Sequence, residues 1–135
     1  MKKQTLLNKS NIISVPGAGL LWGTWAYFSN IQGHPTEVAL KAAITQGVYS
    51  SVMTLYMVFS VYFFWTKTKH TRLAKIWPTI LTAGHTGCLL VLAHTLNHTP
   101  NILRTVCPPI AVTTLFCLFL TAQYNKAEQT ITRDL

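Results

Sequence analysis

Two isolated cations, Lys41 and Arg104, each sit just inside an apolar stretch. His34, His94 and His98 fall near the same level of the hydropathy profile, and Asn30 and Asn97 close the neighbouring stretches. Gathered at one end of a helical bundle, two fixed positive charges, imidazoles and side-chain amides would suit a small anion or the headgroup of an anionic amphiphile. A plainer account uses the same residues. Long basic side chains near helix ends snorkel to a membrane surface without any ligand, and Glu37, four residues before Lys41, is spaced to pair with it on a helix. Gln46 and Tyr49 lie one to two turns beyond Lys41. Facing inward, they would either line a polar cavity opposite Pro108 and Pro109 or make hydrogen bonds between helices.

His34, His94 and His98 are also the imidazoles from which a zinc or copper site could be built. His94 and His98 are four apart, neighbours on a helix face unless the helix has ended before His98. His85 lies deeper. An ionisable group inside an apolar stretch is a functional candidate, and the alternative is a neutral histidine bonded to a neighbour such as Thr82. His85 and His94 are nine residues apart and project to opposite sides of one helix. A haem would therefore need its second ligand from a second copy of the chain. No cofactor is expected. Cys88, Cys107 and Cys117 stand alone in apolar surroundings, which indicates neither a disulfide framework nor a redox pair. HExxH, a Ser-His-Asp set and a carboxylate within an apolar stretch are all missing from the sequence, so an enzyme is not expected.

The elements that must position these groups follow from composition. Half of the 135 residues are apolar and only three are acidic, whereas about a quarter of a soluble protein's residues are charged. A bilayer is the solvent this chain suits. Its net charge of +8 does not indicate nucleic acid, because the basic residues lie between apolar runs and lack interleaved stacking aromatics. Hydropathy and turn signals place four transmembrane helices over about 12–30, 42–65, 77–96 and 103–124 in a single all-α domain, 1–135. Lys2, Lys3 and Lys9 ahead of the first stretch look like the start of a signal peptide. Trp22, Trp25, Tyr27 and Phe28, with no small-x-small cleavage site after them, argue instead for a retained helix.

Helical projection gives each span a packing face. On the first, Val15, Gly19, Gly23, Ala26 and Asn30 align, with Gly19 and Gly23 forming a small-xxx-small pair that admits another backbone. Pro35 and Glu37 mark the start of the second helix. There Gln46, Tyr49, Ser50, Met53, Met57 and Ser60 form an inward stripe, while Ile44, Val48, Val52, Leu55, Phe59 and Tyr62 face lipid. On the third, Thr86, Gly87, Leu90, Ala93, His94 and Asn97 oppose a leucine face that includes His85. In the fourth, Pro108 and Pro109 interrupt the first turns and leave the carbonyls of Arg104 and Thr105 without helical donors, in need of protein or water. The tail from Asn125 reads as a short exposed end.

Charge sets the orientation. With both termini and the basic loop 66–76 inside, nine basic residues lie on the cytoplasmic side and two, Lys41 and Arg104, on the other. At an offset of 67, Gly17, Ala26 and Asn30 meet Gly84, Ala93 and Asn97. Two duplicated hairpins would explain this match, and chance is its rival. The sequence therefore reads as a multi-pass protein of a bacterial inner membrane, N-in and C-in, in contact with membrane lipids. The expected role is binding or transport of a small anion or anionic amphiphile. The alternatives are an accessory subunit of a larger membrane complex, a homo-oligomer included, and a histidine-based metal or haem protein.

Overall fold

The computed structural model describes residues 9–133, with side chains from 15 to 130. Lys2 and Lys3, and the side chains of Lys9 and Arg133, which enter the charge count above, lie outside the described residues. The described chain is helical throughout apart from its connections: α1 (Lys9–Ile31), α2 (Thr36–Thr68), α3 (Trp77–Leu96) and α4 (Ile102–Arg133). Three of these, α2, α3 and α4, are long and apolar enough to cross a membrane, and α1 is not among them.

The connections are short and chemically specified. Gly33, at φ 81°, turns α1 into α2, a conformation open to glycine at no steric cost. Pro35 then precedes the first turn of α2, and its carbonyl accepts from Val38 and Ala39. Pro78 stands in the first turn of α3. At the far end of α3 a Schellman turn closes the helix. His98 takes φ 54°, its N–H bonds the Thr95 carbonyl, and the Thr99 N–H bonds the His94 carbonyl. The helix has therefore ended before His98, and the four-residue spacing of His94 and His98 does not put them on one face.

Antiparallel neighbours then build an up-down bundle in which α2 touches all three other helices. The α1–α2 seam is a close backbone approach. A Cβ on Gly19 would stand 3.0 Å from the Gly47 carbonyl oxygen, one on Gly47 would stand 3.1 Å from that of Gly19, and one on Gly23 would stand 3.0 Å from the Ala43 oxygen. The small-residue face of α1 is thus filled by α2 within the same chain. Lipid-type side chains point outward, Ile44, Val48, Val52, Phe59 and Tyr62 on α2 and Leu89, Leu92 and Leu96 on α3. Much of the interior is polar: Ser50, Ser60, Thr79, Thr82, Thr86, Thr105 and Thr121 are buried with Asn30, Gln46 and His94. Hydroxyl pairs tie the helices, Ser60 with Thr82 at 3.3 Å and Thr79 with Thr121 at 3.1 Å. This is the way membrane bundles associate when lipid gives no hydrophobic drive between helices.

Two expectations are corrected here. Pro108 and Pro109 do not interrupt α4, which runs through them unbroken. One of the two unclaimed carbonyls finds a donor elsewhere, because the Trp25 indole N–H of α1 reaches the Arg104 oxygen at 3.0 Å. The tail is largely exposed, as expected, but it is not a separate end. It extends α4 to Arg133, and Asn125 bridges the Trp65 indole N–H at 3.1 Å and the Ala74 carbonyl at 3.2 Å. Lys69 adds an ion pair to Glu128 at 2.7 Å and stands over the Trp65 ring. These tertiary contacts supply what the polar tail sequence lacks on its own.

Candidate functional site

The inward stripe of α2 and the polar face of α3 meet at a fully buried pair, Gln46 and His94. His94 Nε2 lies 2.7 Å from Gln46 Oε1, and Gln46 Nε2 donates to Ser50 Oγ at 3.1 Å. A carbonyl oxygen only accepts, so the proton on this edge of the imidazole sits on Nε2. On the other edge, Nδ1 lies 2.9 Å from Thr99 Oγ1. With the ring neutral, the Thr99 hydroxyl donates to it. The Schellman turn at His98 is what folds Thr99 back over the imidazole, so local backbone geometry completes the second hydrogen bond of a buried side chain.

Below this pair lies a cavity of about 50 Å³ between the helices. On that scale a water occupies about 10–15 Å³, so a few waters or a solute of a few heavy atoms would fit. Gln46, Tyr49, Ser50 and Thr54 of α2, Thr86 of α3 and Thr113 of α4 give its wall hydrogen-bonding capacity, Trp22 of α1 adds a ring that carries an indole N–H, and Met53, Met57, Leu90, Pro109 and Ile110 supply apolar surface. Several polar groups on the wall are already committed. The Tyr49 hydroxyl donates to the Thr86 carbonyl, the Thr86 hydroxyl to the Thr82 carbonyl at 2.7 Å, and the Thr54 hydroxyl to the Ser50 carbonyl at 2.7 Å.

Towards the end that carries Lys41 and Arg104, two asparagines at the ends of α1 and α3 act alike. Asn30 Nδ2 donates to Thr105 Oγ1 of α4 at 2.9 Å, and Asn97 Nδ2 donates to Thr45 Oγ1 of α2 at 2.8 Å. Each tethers the end of an odd-numbered helix to the first turns of an even-numbered one. Asn30 also accepts from the Asn101 N–H at 3.0 Å, which fastens the α3–α4 loop. Lys41 and Arg104 themselves are exposed, as are His34 and His98. Glu37 and Lys41 are both exposed and make no ion pair with each other among the described residues. In a high-dielectric setting such a pair gains little over the entropy of holding two long side chains.

His85 reaches α2 after all, but at the rim of the seam. Its Nδ1 bonds the Leu81 carbonyl at 2.6 Å and its Nε2 the Tyr56 hydroxyl at 3.0 Å, with Tyr56 and Phe64 edge-on to the ring. Thr82, the neighbour expected from sequence, is turned inward to Ser60 instead. Both histidines of α3 therefore have both ring nitrogens engaged by protein groups. No three His, Cys, Asp or Glu side chains gather as a metal site among the described residues.

The structure thus brings Gln46, Tyr49 and His94 together and leaves Lys41, Arg104, His34 and His98 around them on the surface. Sequence reasoning passed over Thr99, Trp22, Thr86 and Thr113 as site residues. Thr86 was legible from its place on the α3 polar face. Thr99 was not, because only a left-handed residue at His98 points it at His94. No family model, curated protein or solved structure matches this chain.

Proposed function

We propose that this chain is a four-span integral membrane protein of a bacterial inner membrane, with both termini inside, that binds a small anion within the bundle and moves it across. The observation that carries this reading is the cavity among Gln46, Tyr49, Ser50, Thr86 and Thr113, lined from helices apolar enough to cross a membrane. Polar groups at that depth are costly to keep and mark solute pathways. Lys41 and Arg104 lie at one end of the bundle, where exposed cations would raise the local concentration of anions. The size of the cavity favours a small anion over an amphiphile. The two-hairpin repeat is supported by the matching tethers of Asn30 and Asn97.

The accessory-subunit alternative has less support, because the Gly19 and Gly23 face on which it would dock is occupied by Gly47. A metal or haem role would have to displace a protein hydrogen bond from a ring nitrogen of His94 or His85.

Reconstitution into liposomes tests the proposal. Chloride, nitrate or formate flux above that of empty vesicles is expected, reduced several-fold at low ionic strength by the Lys41→Gln, Arg104→Gln double variant. The absence of both flux and calorimetric binding for all three anions would end this reading.

A further inference from the structure

The hydrogen-bond inventory of the cavity wall specifies what kind of solute fits it. Tyr49, Thr54 and Thr86 have already given their hydroxyl protons to backbone carbonyls. Gln46 has turned its oxygen to His94 and uses one of its two amide protons on Ser50. Ser50 accepts that bond, and its own proton has no acceptor among the described residues. Thr113 on α4 makes no hydrogen bond there at all, and neither does the indole N–H of Trp22 on α1. The wall therefore offers unengaged donors from three helices: the Ser50 and Thr113 hydroxyls and the Trp22 indole. It carries no formal charge of either sign.

We infer that Ser50, Thr113 and Trp22, with Gln46 orienting Ser50 from behind, form a charge-neutral donor site for one monovalent anion of a few heavy atoms, such as chloride, nitrate or formate. This rests on the anion reading above and assigns its residues and its selectivity. Neutral donors replace the hydration of a single, weakly hydrated negative charge, since hydrogen bonds to a charged acceptor are the strong ones. Sulfate and hydrogen phosphate hold water more tightly and carry a second charge for which the wall has no cation. A metal cation finds no carboxylate there. Lys41 and Arg104, being exposed, lie outside the site and act on the rate of arrival alone.

Titration calorimetry on the full chain in lipid nanodiscs, with sodium nitrate and sodium sulfate, tests the assignment. Nitrate is expected to bind and sulfate to bind at least tenfold more weakly. Ser50→Ala and Thr113→Val should each weaken nitrate binding about tenfold. Thr113→Ser, which keeps the hydroxyl, should restore it. The Lys41→Gln, Arg104→Gln variant should leave nitrate affinity within about twofold at 0.15 M ionic strength, where surface charges are screened. Helical circular dichroism and the elution volume identify a variant that has failed to fold, and Trp22→Phe then serves as a further donor deletion. Nitrate binding that survives Ser50→Ala and Thr113→Val, or sulfate binding as tight as nitrate and lost with Lys41 and Arg104, would overturn the site while leaving an anion-binding protein. Binding of neither ion by the wild type would remove both.

Discussion

His94 and Gln46 share a hydrogen bond of 2.7 Å between fully buried side chains on different helices, and its direction is set because the Gln46 oxygen can only accept. That relationship fixes the amide orientation. Gln46 must present its nitrogen to Ser50, which leaves the Ser50 proton free on the cavity wall.

Gln46→Leu would strand the His94 Nε2–H and free the Ser50 oxygen. The expected loss is about 1–2 kcal/mol, within the range for interhelical hydrogen bonds in membranes and for stranded buried donors. His94→Leu should cost a similar amount. Because each removal already breaks the shared bond, the double variant should cost clearly less than the sum, as a double-mutant cycle in a denaturant titration would reveal. Strict additivity would mean the two side chains act independently.

Trp25 and Pro108 should also couple, through a shared acceptor rather than a shared bond. Trp25→Phe removes the donor that serves the Arg104 carbonyl, at an expected cost of about 1 kcal/mol. Pro108→Ala restores a backbone N–H four residues after Arg104, able to serve that carbonyl within the helix. In the Pro108→Ala background, Trp25→Phe should therefore cost less than half as much by thermal melting. An unchanged cost would show that the indole matters through packing alone.

Gly23 and Gly17 lie on the same helix and should respond oppositely to alanine. A Cβ at Gly23 would press on the Ala43 backbone oxygen at 3.0 Å, which cannot rotate away, for a loss of about 1–3 kcal/mol. A Cβ at Gly17 meets nothing within 4 Å, and alanine there should stabilise by up to about 1 kcal/mol through helix propensity. Equal effects at the two positions would contradict the close seam between α1 and Gly47.

His98 occupies a left-handed backbone conformation with an exposed side chain, so His98→Gly should raise stability by about 1 kcal/mol while keeping Thr99 on His94. His98→Val, β-branched, should lower stability and disturb the His94 environment, visible in the imidazole resonances. If His98→Gly were destabilising, the turn would owe its geometry to the histidine side chain.

The Lys69–Glu128 pair at the opposite end has side chains 27% and 37% exposed, so Glu128→Gln should cost less than about 1 kcal/mol, and high salt should erase the difference. A loss of several kcal/mol would place the pair in a far drier setting than its exposure indicates.

The sequence by itself determined which residues face in and which face out. The 3.6-residue period of Gln46, Ser50, Met57 and Ser60, and that of Thr86, Leu90 and His94, is a property of each helix alone, and large apolar side chains occupy the other face. Pro35, Pro78 and Gly33 marked helix ends through backbone sterics that need no tertiary partner. Tertiary structure alone decided which inward groups meet. His94 chose Gln46 because α2 and α3 run antiparallel at one register, and His85 chose Tyr56 over Thr82 because Thr82 was turned towards Ser60. Arg104's carbonyl was supplied by Trp25, across 79 positions of sequence. The helical tail past Asn125 likewise depends on Trp65, Ala74 and Lys69. Hydrogen bonds between distant segments depend on distances of a few tenths of an ångström, which periodicity does not encode, and the cavity with its unengaged donors is the sum of such choices.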